Sequence, residues 1–461
     1  MNLSKVIFPA AFIVTVAVTF QACDRRAESV QPNIILIMSD DMGYSDIGCY
    51  GGEIRTPTLD SLAAGGIRFT QFYNTARCCP TRASLLTGLY PHQAGMGWMT
   101  GIETDLAPYQ GDLGNNAATI AEVVRTAGYE TFMTGKWHVS KNIRDEGPRH
   151  NWPLQRGFDR FYGTITGAGS FYDPATLCRD NTLVTPFVDS LYPSENYYYT
   201  DAIADEAARF IRERDRDRPF FLYMAFTAAH WPMHAKLEDI EKYRGMYDEG
   251  WEKVRVQRFE RMKELGVIPA NTRLSLLDVH PWEEEEHQEV KAQRMEIYAA
   301  MVDAMDQGIG RVVQTLRDEE IFDHTMVLFL QDNGGCAEEI GTRGEVSNWA
   351  AGPEELVPLT AGEPDYNVIP RVTREGKPII KGDEVAGGPD TTYVAYGKVW
   401  ANASNTPFRE YKHWVHEGGI STPLIMHYPA KIREGNDICS VPGHVIDLMP
   451  TIAELAGARY P

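Results

Sequence analysis

With 461 residues and 43% hydrophobic content, the chain can bury a large core, which excludes a small disulfide scaffold and allows two or three domains or one large α/β domain. The formal net charge of -20, with no basic stripe, excludes a general nucleic-acid binder. An anionic ligand would have to be held by a local group of cations against the overall field.

Residues 1–22 read as an export segment. Lys5 precedes an apolar run, Val6 to Phe20, which has the size of a signal h-region and is too short for an easy membrane span. The run ends in Phe20-Gln21-Ala22-Cys23, which resembles a bacterial lipobox in which Cys23 is lipidated and becomes the mature N-terminus. Ordinary signal cleavage nearby is the alternative. Both predict an exported protein, and the lipobox adds membrane attachment through a lipid on Cys23 at the periplasm or cell surface. On this division 1–23 is the signal peptide, 24–31 a polar tether and 32–461 the folded domain.

Ile34-Ile35-Leu36-Ile37-Met38 predicts a strand buried on both faces, ending abruptly in Ser39-Asp40-Asp41. Ligands of open α/β sheets bind beyond the carboxyl ends of the strands, so these acids are candidate metal ligands; a simple turn is the alternative. Thr56-Pro57 opens a short helix that Gly65-Gly66 closes.

A second short helix is written from Cys78 to Gly88. Pro80 suits its first helical position and Gly88 the position past its end, which puts Cys78 at the N-terminus. Unpaired amides and the macrodipole favour an anion there, and Arg82, one turn on, points its guanidinium the same way.

Further strands are expected at 130–134, running into Gly135-Lys136-Trp137-His138, and at 220–226, running into Ala229-His230-Trp231-Pro232-Met233-His234. A lone Lys or His in a loop is ordinarily solvent-facing. Several apolar strands that each end in such a residue point instead to one shared site. Thr200 is expected to cap a helix through Arg212, and Met295 to Leu316 to form a long amphipathic helix. The strand Met326 to Leu330 ends in Gln331-Asp332-Asn333. Asp40, Asp41, Asp332 and Asn333 make a hard-oxygen set suited to Ca2+ or Mg2+, with no thiolate or imidazole to select zinc. The charged stretch 236–288 and the Gly/Pro-rich stretch 341–397 read as insertions over the active face that set substrate choice.

The pattern Cys78-x-Pro80-x-Arg82 followed by Leu86-Thr87-Gly88 resembles the signature of the formylglycine-dependent sulfatases, arylsulfatase-like members of the alkaline phosphatase superfamily. The resemblance implies an α/β fold with a large, mostly parallel mixed sheet sandwiched by helices. Relatives continue into a smaller C-terminal domain; this chain stops at Pro461, so that domain is expected to be absent or truncated. By position, Cys78 is the residue converted to formylglycine, whose hydrate is the nucleophile. A formylglycine-generating or anaerobic maturation enzyme is then a required partner. Asp40, Asp41, Asp332 and Asn333 match the family's calcium ligands, and the Cys78 hydrate adds an oxygen. Lys136 and His138 match its Gly-Lys-x-His motif, His230 its His-x-Pro motif, and Lys412 its lysine five residues before Glu417-Gly418-Gly419. Ser170 and His234 are further substrate-side candidates.

The implied reaction is hydrolysis of a sulfate ester of a carbohydrate or aryl compound. Arg82, Lys136 and Lys412 bind sulfate oxygens, Asp332 helps deprotonate the nucleophile, and His230 or Lys412 protonates the leaving oxygen. His138 takes the proton that releases sulfate. Three alternatives stand: a phosphonate monoester or phosphodiester hydrolase of the same superfamily, a metal-dependent phosphatase with an unmodified nucleophile, and a sulfated-glycan-binding lipoprotein in which Cys78 is never modified.

Overall fold

The apolar runs become the middle of one eleven-stranded sheet in a computed structural model that describes residues 31–102, 104–193, 195–340 and 357–461. The signal segment with Cys23, residues 24–30 of the tether, and residues 341–356 of the second expected insertion lie outside the described residues. Residues 32–461 fold as one unit.

In chain order the strands are β1 (Asn33–Ser39), β2 (Ile67–Tyr73), β3 (Glu130–Lys136), β4 (Arg160–Thr164), β5 (Leu177–Arg179), β6 (Thr182–Leu183), β7 (Phe220–Ala225), β8 (Thr325–Gln331), β9 (Ser421–His427), β10 (Asp437–Cys439) and β11 (Gly443–His444). They lie in the order β10-β2-β9-β8-β1-β7-β3-β4-β5-β6, with β11 also on β2. Strands β8, β1, β7, β3 and β4 are mutually parallel, so their carboxyl ends share one edge. β9 runs antiparallel between β8 and β2, which brings the start of β9 and the end of β2 to that same edge.

The alternation of side chains along β1 divides the core into two layers. Ile35 and Ile37 pack with the helices Tyr199–Glu213 and Gln288–Asp318. Ile34, Leu36 and Met38 pack on the other face with the helices Cys78–Thr87, Ile120–Arg125 and Leu448–Ala456. The result is the helix–sheet–helix sandwich expected of a parallel sheet covered on both faces.

Two helix starts differ in detail from expectation, while the helix at Pro57 opens and closes where expected. The helix at Cys78 begins two residues before the predicted first position, placing Pro80 third, where its missing N–H still falls among the unpaired amides of the first turn. Gly88 does end it, at φ 68°. Thr200 caps nothing: the helix starts at Tyr199, whose N–H donates to the Phe171 carbonyl at 2.7 Å, so a tertiary contact takes the place of a capping side chain. The helix Pro57–Ala64 is capped from outside by Asp306, which accepts from the N–H groups of Thr58 and Leu59 at 2.9 and 2.8 Å.

Within 236–288 the helix Gly250–Glu264 is fastened to the loop after β1, through Arg258 to Asp46 at 2.5 Å and to Glu53 at 2.7 Å. Six of the seven cysteines, Cys49, Cys78, Cys79, Cys178, Cys336 and Cys439, lie among the described residues, and all six are free thiols. Among the described residues no helix is long and apolar enough to cross a membrane.

Candidate active site

The shared edge of the sheet gathers the candidate residues. Asp40 and Asp41 follow β1, Asp332 and Asn333 follow β8, Lys136 ends β3 with His138 just beyond, and His230 follows β7. Cys78 is reached from the end of β2, and Lys412 lies shortly before β9. All of them are buried.

Arg82 is the central cation. Its guanidinium donates to Asp332 Oδ2 at 2.8 Å and to the Lys136 carbonyl at 3.0 Å, and lies 3.4 Å from Asp40 Oδ2. Lys136 Nζ stands 2.5 Å from the same Asp40 oxygen. On the other side Lys412 Nζ is 2.8 Å from Asp41 Oδ2, and Asn333 Nδ2 donates to Asp41 Oδ1 at 2.7 Å. The carboxylates are thus interleaved with cations, which is what burial of so many charges requires.

The electrostatics follow from this interleaving. Burial pushes the Asp40 carboxyl up, against Lys136 and Arg82. Burial also opposes ionisation of Asp41, but the charges facing it, Lys412 first, outweigh it and hold that carboxyl well below the usual range. Asp332 is pushed up to about 8 by burial and by the Asp40 charge. The Cys79 thiol, hydrogen-bonded to Cys78, together with Lys136 and His138, holds the Cys78 thiol well below its ordinary value despite burial.

Both site histidines are neutral. Burial lowers His138 and His230 to about 4 each. His230 Nδ1 lies 2.7 Å from the Trp231 carbonyl, which assigns the ring proton to Nδ1 and leaves Nε2 as a lone pair 3.5 Å from Lys412 Nζ. His138 is held by its backbone at φ 54°, and Asp41 by its own at φ 56°. A non-glycine residue in the left-handed region is uncommon and costs of order 1 kcal/mol, so the fold over-determines both positions.

Two buried oxygens, Asp40 Oδ1 and Asn333 Oδ1, have no hydrogen-bond partner. Orphaned hard oxygens beside Asp41 and Asp332 fit a divalent cation such as Ca2+ or Mg2+. Ligating atoms of Asp40, Asp41 and His230 also fall within 4.8 Å of one another. The imidazole that the sequence reading left out of this set is therefore beside it, with its lone pair turned to Lys412.

Ser170 and His234 form a pair of their own. Ser170 Oγ is 3.5 Å from His234 Nδ1, which accepts from the Phe171 N–H at 3.3 Å, while His234 Nε2 donates to the Thr392 carbonyl at 2.8 Å. Among the described residues no hydrogen bond or ion pair joins them to the charged cluster. Ser170 lines instead a cavity of about 1630 Å³, whose other walls include Tyr172, Asp173, Phe187 and Arg374. None of the clustered residues lines that cavity, so its size does not mark the reacting centre.

The sequence reading missed Glu338, Trp231 and Gly167. Glu338 accepts from the Trp231 indole at 2.7 Å, pairs with His413 at 3.1 Å and lies 4.0 Å from Lys412 Nζ, tying three loops together. Beside it, Arg77 lies over the half-exposed Trp98. A Cβ on Gly167 would stand 2.0 Å from His138 Cε1, so its lack of a side chain makes room for that ring. Trp231 at least lies inside a recognisable motif; a single acid or glycine within a loop carries no such signal.

The sequence profile described as Sulfatase matches residues 32–458. The chain is 34% identical over 442 residues to an arylsulfatase of Klebsiella aerogenes, covering 94% of this chain and 88% of that protein. It is likewise 34% identical over 465 residues to an uncharacterised sulfatase of Schizosaccharomyces pombe, covering 95% of this chain and 77% of that one. Among solved structures it resembles Ps i-CgsB in complex with k-i-k-neocarrahexaose, with a TM-score of 0.61 and 25% identity over 94% of this chain and 73% of the other. A buried cluster of interleaved cations and carboxylates at the edge of this sheet and matches of this extent lead to one assignment: the chain belongs to the sulfatase family and is a sulfuric ester hydrolase.

Proposed function

We propose that the chain releases inorganic sulfate from a sulfated carbohydrate or aryl sulfate at Cys78, after a maturation enzyme has converted that residue to formylglycine, with Ca2+ as the resident cation. The observation that carries this reading is the placement of Cys78 at a helix N-terminus, in the field of Lys136 and His138, on the edge where Arg82 pairs with Asp40 and Asp332. When present, formylglycine supplies a hydrated aldehyde as nucleophile and the cation supplies Lewis acidity toward a sulfate oxygen.

The chain's own residues do the rest. Arg82, Lys136 and Lys412 orient the sulfate and offset the charge that develops on its oxygens. Asp332, pinned by Arg82 at 2.8 Å and by the Asp41 N–H at 3.3 Å, is the acceptor for the nucleophile's proton. Lys412 carries the proton for the leaving oxygen, directly or through the Nε2 of His230. His138, neutral and beside Cys78, is the base for sulfate release. Asp40, Asp41, Asp332 and Asn333 hold the cation. Export and a lipid on Cys23 complete the proposal and suit an extracellular sulfated substrate.

The test is the mass of the peptide spanning Cys78 in protein from its own host, paired with sulfate release from an aryl sulfate and from sulfated oligosaccharides. The expected peptide is lighter than the thiol form by about 18 Da. An unmodified thiol in protein that turns over sulfate esters would overturn the formylglycine mechanism.

A further inference from the structure

Cys79 has no part in the proposed hydrolysis, yet its thiol is buried beside Cys78. The Sγ atoms of Cys78 and Cys79 and a ring nitrogen of His138 all lie within 4.8 Å of one another. His138 Nδ1 is buried without a hydrogen-bond partner, in a residue only 8% exposed. A fourth soft donor is near: Met99 Sδ is 3.9 Å from Cys78 Sγ.

We propose that, while Cys78 is still a thiol, Cys78, Cys79 and His138 form a three-ligand site for a thiophilic d10 cation of the Zn2+ class. Two thiolates and an imidazole are the donor set that such a cation prefers, and the three atoms need only modest approach to reach tetrahedral bonding distances of about 2.0–2.3 Å. With Cys78 held toward its thiolate and Cys79 kept protonated by burial, binding a divalent cation releases the Cys79 proton to solvent and leaves two thiolates and the cation neutral together. That neutral set puts no net positive charge beside Lys136. The hard-oxygen set of Asp40, Asp41, Asp332 and Asn333 has the opposite preference. Two adjacent sites then sort cations by softness, and conversion of Cys78 to an aldehyde removes a thiolate and abolishes the soft one. Zinc capture and maturation become competing fates of the same sulfur.

The experiment is a titration of the reduced full chain, with Cys78 verified as unconverted by peptide mass, using Cd2+ in excess Ca2+. We expect one equivalent to bind with a thiolate-to-cadmium charge-transfer band that Zn2+ displaces and Ca2+ does not. Cys79→Ser and His138→Gln should each weaken binding by at least about tenfold, and Cys439→Ser should not. Protein converted at Cys78 should lack the band. No band in the unconverted chain, or a band that survives Cys79→Ser, overturns the proposal. Should Cys79→Ser fail to fold, Cys78→Ser probes the site from the other thiol, and a band that survives there overturns the proposal equally. None of these readouts uses sulfate release, so the result stands apart from the hydrolytic mechanism.

Discussion

Lys412 Nζ faces His230 Nε2 across 3.5 Å, a protonated amine against an imidazole lone pair. The pair is positioned to move one proton between two loops on the same sheet edge. Lys412→Ala and His230→Asn should each lower kcat/KM by roughly 100- to 10,000-fold for sulfate esters of poorly acidic alcohols. The loss should shrink for 4-nitrophenyl sulfate, whose leaving oxygen needs little protonation. Because the two act as a unit, the double variant should be no slower than the worse single one, which a double-mutant cycle of steady-state rates will read.

Gly167→Ala tests the room made for His138. The added Cβ would stand 2.0 Å from Cε1 of the ring, so the ring must move. Activity should fall at least about tenfold, in kcat rather than KM, while the circular dichroism spectrum is retained. Wild-type kcat in this variant would show that His138 need not hold its position.

Acid stability should be set partly by buried histidines. Burial lowers His138, His230 and His234 to about 4 each, from an ordinary 6.5. Between those values the unfolded chain binds more protons than the folded one, so stability rises with pH across the window and is lost as pH falls from 6.5 towards 4. A difference of about 2.5 units corresponds to roughly 3 kcal/mol per histidine at most. His234 is remote from the carboxylates of the cluster, so His234→Gln should flatten the dependence of the urea midpoint on pH in that window. An unchanged slope would contradict the assignment.

Removal of the divalent cation should abolish turnover. After treatment with a chelator, Ca2+ should restore activity and raise the unfolding free energy by about 2.7 kcal/mol at a hundredfold excess over its Kd. Asp40→Asn should lose both responses. Recovery with Mg2+ and not with Ca2+ would replace the ion while leaving the ligand set in place.

Much of this site is legible in the sequence because the apolar runs of β1, β3, β7 and β8 end abruptly in charged or imidazole residues. A strand buried on both faces leaves only its end for chemistry, so Asp40, Lys136, His230 and Asp332 can be placed on one edge from the chain alone. What escapes depends on approach between distant segments. Glu338 is defined by Trp231 and His413, and Gly167 by the ring above it. Thr200 misleads for the same reason: the helix start is satisfied by the Phe171 carbonyl, a partner no local window contains.

The position of β1 has a consequence for how the chain reaches this state. Ile34 pairs with Phe221 on one side and with Met326 on the other, so the first strand made waits for partners from the middle and the last third of the chain. Pairing at such separations is slow, because long loops must close before the contacts repay them. Until then Ile34-Ile35-Leu36-Ile37-Met38 is an uncharged, β-favouring segment with both edges open, the kind that associates with its own copies. The strand that carries Asp40 and Asp41 to the centre of the sheet is also an aggregation hazard, and refolding yield should fall steeply with protein concentration.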